Sequence, residues 1–332
     1  MNNNRRNLRQ KSKFNRGKIL NYILYAGLVI ALFVVIGFGK NIYLKLTGND
    51  EKGGRAQSSE VPAGQIVKKD STIKGVLQKM TFVDAHGDTH RFTLNNNAKS
   101  ISLDKNLFKK KAGRMTYTDT ENFEYRFGID VSEFQYDIDW KKVKADGVEF
   151  AFVRAGYRGY SNGSLVYDKK FLKNLRGAKK AGVDVGIYFF AQAINEKEAI
   201  EEANFVLSAI KGMKLKCPIM YDPESILWAK ARTDKLKKSQ LTKNALAFCE
   251  TIEDAGYESG VYANLKWEAY KLNMAKLKDT RMWYADYEKK PQTPYDFEYW
   301  QYTSQGSIDG ISGNVDCNIQ VIPVEKVVSS DL

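Results

Sequence analysis

The chain has 332 residues, of which 43% are hydrophobic, and this is enough for about two domains with a buried core. Its formal net charge of +13 suits an anionic partner such as nucleic acid, anionic lipid or the bacterial wall, and equally a solubilising surface with a basic tail. The sequence has no zinc-ligand spacing, ribonucleoprotein signature or zipper heptad, so nucleic-acid binding is not expected.

Residues 1–18 are rich in lysine and arginine and contain no acidic residue. Residues 19–39 follow without a charged side chain, and an apolar helix of about 20 residues crosses the hydrocarbon core of a bilayer. The basic flank should stay in the cytoplasm, which places the rest of the chain outside the cell. No convincing cleavage site follows the apolar run, so we expect an uncleaved single-pass anchor in preference to a secretory signal.

Residues 40–71 are rich in glycine, serine and charged residues, a composition typical of a flexible linker. Residues 72–122 are predicted to form a small β-rich stalk module of unknown role. Apolar and polar residues alternate on both sides of the turn at residues 84–88, which indicates a β-hairpin. His86 and His90 flank this turn, and solvated hairpin residues are favoured over metal ligands because two ligands do not complete a zinc site.

Residues 123–326 alternate short apolar runs with longer amphipathic stretches, a pattern typical of a parallel β/α fold. The predicted strands are 127–131, 150–155, 185–190, 218–221, 259–262, 282–285 and 299–302. The predicted helices are 140–145, 169–181, 196–210, 239–255 and 266–271. Seven or eight such strands favour a closed barrel over an open sheet. The predicted fold class is therefore an irregular (β/α) TIM-like barrel, preceded by a transmembrane helix and the stalk module.

Two carboxylates, Asp222 and Glu224, lie two residues apart at the end of one predicted strand. Side chains alternate along a strand, so both should point to the same face. Pro223 between them fits the carboxyl end of the strand, the edge at which β/α barrels build their active sites. Two close carboxylates repel each other, which lets one hold a proton as an acid, and glycosidic bond cleavage uses such a pair.

Two more carboxylates are expected at the same edge. Asp130 ends the first strand, and Asp316 is predicted to end the last strand region. The first and last strands of a closed barrel are neighbours, so all four carboxylates should meet at one mouth. Aromatic side chains suited to stacking on sugar rings lie near the strand ends, and about half of them are expected to be core residues instead. The candidates for substrate binding are Tyr188, Tyr221, Tyr262, Trp283, Tyr287 and Trp300.

Three cysteines and two histidines restrict the chemistry further. Cys217, Cys249 and Cys317 fit neither a metal motif nor a disulfide framework and are expected as small buried hydrophobes. Both histidines precede the region assigned to catalysis, which excludes a Ser-His-Asp or Cys-His mechanism and a His-ligated zinc there. No metal or organic cofactor is expected.

The sequence resembles glycoside hydrolase family 25, the muramidases typified by fungal, streptomycete and phage lysozymes. The resemblance covers about residues 127–323. It runs through ordered motifs that include GIDVSEFQ (128–135), FVRAGY (152–157), GIYFFA (186–191), YDPES (221–225), GVYAN (260–264), MWYADY (282–287), WQYTS (300–304) and GNVDCN (313–318).

This resemblance implies cleavage of the β-1,4 bond between N-acetylmuramic acid and N-acetylglucosamine in peptidoglycan. It implies that Glu224 is the general acid and that Asp222 stabilises and positions, orienting the substrate's N-acetyl group. Asp130 and Asp316 would shape the charge of the cleft and hold substrate or water. Tyr188, Tyr262 and Trp283 match positions that line the sugar cleft of the family.

Two alternatives stay open at this stage. One is a membrane-tethered wall-binding or scaffold protein without activity, and the other is a hydrolase of a different polysaccharide such as chitin. The expected partners are peptidoglycan strands and, through residues 19–39, the cell membrane. A membrane-bound wall or secretion machine is a further hypothesis, suggested by the anchor and by the unexplained module.

Overall fold

The structure is a computed structural model that describes residues 78–84 and 87–324. The expected basic tail (1–18), membrane anchor (19–39), linker (40–71) and His86 lie outside the described residues. Within the described ranges, no helix has both the length and the apolar character needed to span a membrane.

The first described residues form two short β-hairpins. Strands β1 (Lys79–Val83) and β2 (Thr89–Thr93) make the hairpin predicted from the alternating pattern. A 3-10 turn (Lys105–Leu107) leads into the second hairpin, β3 (Phe108–Lys111) and β4 (Arg114–Tyr117). His90 is not a solvated residue as expected: its ring stacks on Phe82 with the ring centroids 5.0 Å apart, and Nε2 lies 2.8 Å from Asp84 Oδ2.

Nine strands follow in residues 123–323, and eight of them close into a barrel. The strands are β5 (Phe123–Val131), β6 (Phe150–Arg158), β7 (Leu165–Tyr167), β8 (Asp184–Ala191), β9 (Ile219–Pro223), β10 (Ser259–Asn264), β11 (Arg281–Ala285), β12 (Tyr299–Gly306) and β13 (Val315–Pro323). Around the barrel the order is β5, β6, β8, β9, β10, β11, β12 and β13, and β13 pairs back with β5. Neighbouring strands are parallel except that β13 runs antiparallel to both neighbours, and β7 pairs with β6 outside the ring. The predicted irregular barrel is confirmed.

All five predicted helices are present. They are α1 (Trp140–Ala145), α2 (Phe171–Lys180), α3 (Glu196–Ala209), α4 (Lys238–Asp254) and α5 (Leu265–Tyr270). Asn195 and Asn264 cap the amino ends of α3 and α5 because their side-chain oxygens accept hydrogen bonds from free backbone N–H groups. Gly182 and Gly256 follow α2 and α4 with φ angles of +78° and +82°, the left-handed conformation in which a helix commonly ends.

The alternation of side chains along each strand divides the barrel's apolar residues into two groups. The inward group fills the lower part of the barrel, and within it the ring of Phe152 stacks on Trp283 with the centroids 4.6 Å apart. The outward group, which includes Ile129, Val153 and Ile187, packs in the layer between the strands and the elements that cover them. Toward the carboxyl end of the parallel strands this apolar filling gives way to inward polar side chains, among them Asp130, Asp222 and Gln301. The burial expected of Cys217, Cys249 and Cys317 is confirmed, and all three are free thiols.

The two hairpins pack directly on the side of the barrel. No α-helix occurs between β11 and β13 in the described chain, and the hairpins cover the strands that such helices would cover. Phe108 meets the outward face of Trp300 edge-on at 5.1 Å, and Tyr117 meets Phe123 at 5.3 Å between ring centroids. Residues of the hairpins and of the barrel therefore belong to one apolar cluster. The expected stalk is not a separate body, because its own apolar residues are too few to form a core and are buried against the barrel.

Candidate active site

The four predicted carboxylates meet at one end of the barrel. Asp130 lies near the end of β5, Asp222 near the end of β9 and Glu224 directly after β9. The expectation that Asp316 ends the last strand is wrong, since it is the second residue of β13. Because β13 runs antiparallel, its first residues lie at the same mouth, and Asp316 pairs directly with Asp130 across the strands. The carboxylates thus converge from parallel and antiparallel strands.

Asp222 forms the buried side of this cluster. Its side chain is 5% exposed, and Oδ1 has no hydrogen-bond partner among the described residues. Burial raises the pKa of Asp222 well above its usual range, and the negative charges of Glu224 and Asp130 raise it further, whereas the Arg154 guanidinium lowers it. A buried carboxyl oxygen without a partner is costly in a folded protein and is often found where a ligand supplies the missing hydrogen bond.

Glu224 is partly exposed at the mouth. Burial and, after it, the charge of Asp130 raise the pKa of Glu224 to about 7. At neutral pH a large fraction of this carboxyl is therefore protonated, as a general acid requires. Two successive hydrogen bonds hold the backbone of Glu224 in place. The Gln192 side-chain amide donates to the Glu224 carbonyl oxygen at 2.8 Å, and the Thr233 hydroxyl group donates to Gln192 Oε1 at 2.9 Å.

Two amide side chains hold Asp130. Gln301 Nε2 and Asn318 Nδ2 both donate to Asp130 Oδ2, at 2.8 and 2.9 Å. Burial raises the pKa of Asp130 to about 6, and these two hydrogen bonds oppose the rise. Neither amide was predicted as a site residue from the sequence. Asn318 could have been predicted, because it stands two residues after Asp316 and therefore shares its face of the strand.

Four of the six predicted aromatic residues lie at the cluster. The hydroxyl groups of Tyr262 and Tyr287 both donate to Gln301 Oε1, at 3.0 and 3.1 Å. The indole N–H of Trp283 donates to Asn318 Oδ1 at 2.8 Å, and Tyr188 meets the Trp283 ring edge-on at 5.8 Å. Aromatic rings and amides therefore form one network that ends on Asp130.

The other two predicted aromatic residues point out of the barrel. The Tyr221 ring packs on Phe248 of α4, with the centroids 5.0 Å apart. Trp300 contacts Phe108, and its indole N–H donates to the carbonyl oxygen of Asp286 at 2.8 Å. Each stands next to an inward residue, Asp222 or Gln301, so the alternation of the strand turns it outward. Their predicted place in the cleft was wrong, and they are core residues.

Exposed apolar side chains occur in the connections that follow β5 and β9 at the mouth. None of them was predicted as a site residue from the sequence, and they are Phe134, Tyr136, Leu227 and Trp228. The Phe134 ring lies over the Arg154 guanidinium, with 4.9 Å from the Arg154 carbon to the ring centroid. Exposed rings around a polar cleft give flat surfaces on which sugars can stack.

The sequence profile of "Glycosyl hydrolases family 25" matches residues 129–311, more than half of the chain. The "Autolytic lysozyme" of Clostridium acetobutylicum is 28% identical over 190 residues, covering 57% of this chain and 54% of that protein. "Lysozyme M1" of Streptomyces globisporus is 27% identical over 203 residues, covering 58% of this chain and 66% of that protein.

Two solved structures are also similar to this chain. The modular autolysin LytC from Streptococcus pneumoniae, also solved in complex with a synthetic peptidoglycan ligand, is 26% identical with a TM-score of 0.53, covering 72% of this chain and 56% of that one. A family 25 glycosyl hydrolase from Bacillus anthracis shares the fold at 23% identity and a TM-score of 0.51, covering 64% of this chain and 94% of that one. This chain thus spans about half the length of the clostridial lysozyme and of the pneumococcal autolysin.

Proposed function

Because this chain belongs to glycosyl hydrolases family 25, we propose that it is a peptidoglycan hydrolase that cleaves the β-1,4 bond between N-acetylmuramic acid and N-acetylglucosamine. The observation that carries the proposal is the position of Glu224, a partly exposed carboxyl with a pKa of about 7 beside three other buried or partly buried carboxyls. Aromatic rings around the mouth support a carbohydrate substrate.

In the proposed mechanism, Glu224 donates its proton to the glycosidic oxygen as the bond from that oxygen to C1 breaks. Asp222 Oδ1, which has no hydrogen-bond partner among the described residues, accepts the N–H of the substrate's acetamido group. The acetamido oxygen then attacks C1 from the opposite face, and Asp222 stabilises the positive charge on the resulting ring. Water opens this ring in the second step, with Glu224 taking its proton.

The remaining groups would hold the sugar. Asp316 lies opposite Asp130 across two paired strands, where its carboxyl can accept sugar hydroxyl groups. Tyr287 is 46% exposed while its hydroxyl group is bound to Gln301, so the ring face stays open to a sugar. These roles are assigned by position and by hydrogen-bonding capacity.

The experiment that tests the activity is digestion of purified peptidoglycan by the full-length chain in mild detergent, with the new reducing ends identified by mass spectrometry. The Glu224→Gln chain serves as the comparison. We expect new N-acetylmuramic acid reducing ends with the wild type only. N-Acetylglucosamine ends would reject the proposed bond, and no release from peptidoglycan or chitin by the folded chain would favour a wall-binding protein.

The pH dependence tests the charge relation between Asp130 and Glu224. Burial is the main cause of the raised pKa of Glu224, and the negative charge of Asp130 raises it further because it disfavours ionisation. Asp130→Asn removes that charge, so the pKa falls and the proton is lost at lower pH. We expect the alkaline limb of kcat/KM, near pH 7 in the wild type, to move to lower pH in Asp130→Asn. If the alkaline limb stayed at the same pH or moved to higher pH, the ionisation of a group other than Glu224 would be responsible for it.

We further propose that residues 19–39 cross the membrane once, with residues 1–18 in the cytoplasm and the barrel outside. The uncharged run and its basic flank support this arrangement. The chain should stay in the membrane pellet after alkaline carbonate extraction, and protease added to intact spheroplasts should degrade the barrel. Release by carbonate, or a barrel protected from protease until the cells are lysed, would contradict the topology.

A further inference from the structure

The connection between β11 and β12 links the hairpins to the active site. This segment, residues 286–298, begins with Asp286 and Tyr287 at the mouth and returns along the side of the barrel. On that side the Gln292 side chain pairs with the backbone of Val83 in β1. Gln292 Oε1 accepts from the Val83 N–H at 3.1 Å, and Nε2 donates to the Val83 carbonyl oxygen at 2.9 Å.

Lys105, from the turn between the hairpins, reaches the same place. Its Nζ donates to the carbonyl oxygen of Gln292 at 3.0 Å. Burial lowers the pKa of Lys105 to about 8, and the negative charges of Glu268 and Asp286 oppose this shift. Glu268 is 1% exposed and accepts from the Thr293 hydroxyl group at 2.5 Å. The positive charge of Lys105 offsets part of the free-energy cost of burying the carboxyl groups of Glu268 and Asp286.

The contacts continue from Gln292 to the cleft. The Gln292 N–H donates to Asp286 Oδ2 at 2.9 Å, and the Trp300 indole binds the Asp286 carbonyl oxygen. Asp286 is followed by Tyr287, whose hydroxyl group donates to Gln301 Oε1, and Gln301 donates to Asp130. Hydrogen bonds, joined by the backbone of Gln292 and of Asp286 and Tyr287, therefore connect Lys105 with the carboxylate cluster.

The second half of the connection is held by backbone contacts with the same hairpin region. Ile101 N–H donates to the Pro294 carbonyl oxygen and Asp296 N–H donates to the Lys99 carbonyl oxygen, each at 3.0 Å. The Asn95 N–H donates to the Tyr295 hydroxyl group at 3.1 Å. Without these partners, residues 286–298 would be a long connection with no helix of its own, the kind of segment that is usually mobile.

We propose that residues 78–122 are a positioning module for the active site. They hold the connection at residues 286–298 so that Tyr287 stays bound to Gln301, and Lys105 is the main positioning residue. These residues lie outside the part of the chain that matches the family profile. The catalytic consequence rests on the proposed hydrolase function, whereas the ordering of the connection does not.

The test compares the full-length wild type with Lys105→Met, and with Lys110→Met, a change at an exposed residue of β3, as the matched control. Hydrogen exchange followed by mass spectrometry reports on residues 286–293, and digestion of peptidoglycan reports on kcat and KM. We expect faster exchange at 286–293 and about a tenfold lower kcat at similar KM in Lys105→Met, because small misplacements of catalytic groups cost that much or more. Lys110→Met should match the wild type, and Lys105→Arg should recover most of the loss.

Combination with Tyr287→Phe separates positioning from general destabilisation. If Lys105 acts through Tyr287, the double variant should be no slower than the slower single variant. Unchanged exchange in Lys105→Met, or effects of the two changes that multiply, would overturn the proposal. If Lys105→Met does not fold, Gln292→Ala removes the side-chain pairing with Val83, a second link between the hairpins and the connection, and faster exchange at 286–293 with a lower kcat is again the expected result. An inactive wild type would count against the hydrolase, and the exchange result would still decide on positioning.

Discussion

Replacement of Glu224 by glutamine should lower kcat for peptidoglycan by about 10²- to 10⁴-fold, the range attributed to a positioned general acid. Glutamine keeps the size of the side chain and has no proton acidic enough to transfer to a leaving sugar oxygen. KM should change little, because the wild-type carboxyl is largely protonated near its pKa of about 7 and an amide resembles this neutral form. The measurement is the initial rate of reducing-end release over a range of peptidoglycan concentrations.

The matched control is Glu250→Gln, which makes the same chemical change on the exposed surface of α4. It should retain the wild-type rate, since surface changes of this kind seldom alter the fold. A Glu224→Gln chain that keeps more than about a tenth of the wild-type kcat would reject Glu224 as the acid. The proton would then have to come from another member of the cluster, of which Asp316 has a raised pKa through burial and the charges of Asp130 and Glu224.

Local periodicity was enough to predict most of this fold. Seven of the eight barrel strands and the five helices followed from apolar runs of the right length, and the common face of Asp222 and Glu224 followed from the alternation of a strand. The convergence of the four carboxylates followed from closure of the barrel, which makes β5 and β13 neighbours. These predictions depend on short-range geometry or on topology alone.

The direction of β13 could not be read in the same way. The sequence between β12 and β13 has no helix, and a parallel crossover needs about a dozen residues or more, which favours an antiparallel return. The prediction that Asp316 ends its strand assumed a parallel β13, and the antiparallel return puts Asp316 at the beginning of the strand instead. Tyr221 and Trp300 were misplaced for a related reason, because aromatic character alone does not say to which face of the strand a ring points.

The packing of the hairpins on the barrel could not be predicted from local sequence patterns. Phe108 and Trp300 are far apart in sequence, and an alternating strand shows that one face is buried without showing against what. The same limit applies to the contact between Lys105 and Gln292. Side-chain packing over long sequence separations decides both, so only the structure could connect the hairpins to the active site.

Replacement of Asp222 by asparagine should lower kcat by about 10²- to 10³-fold, the effect of removing one preorganised polar group that acts on developing charge. In the proposed mechanism the carboxyl of Asp222 orients the substrate's acetamido N–H and stabilises the positive ring, and an asparagine amide cannot supply that negative charge. Burial and neighbouring negative charges raise the pKa of Asp222 and so disfavour its ionised form. The ionised carboxylate becomes favourable only when positive charge develops on the substrate ring beside it, so its stabilising effect is confined to that step.

A substrate change isolates this role from a general disturbance of the cluster. Peptidoglycan whose muramic acid residues lack the N-acetyl group cannot form the ring, so the wild type should slow on it to about the rate of Asp222→Asn on normal peptidoglycan. The variant should then lose little more on the deacetylated substrate, since the two changes remove one interaction from its two sides. If the Asp222→Asn loss were equally large on both substrates, Asp222 would act independently of the acetamido group. The cluster would then operate by direct attack of a carboxylate or of water on C1, with Asp222 or Asp130 as the partner of Glu224.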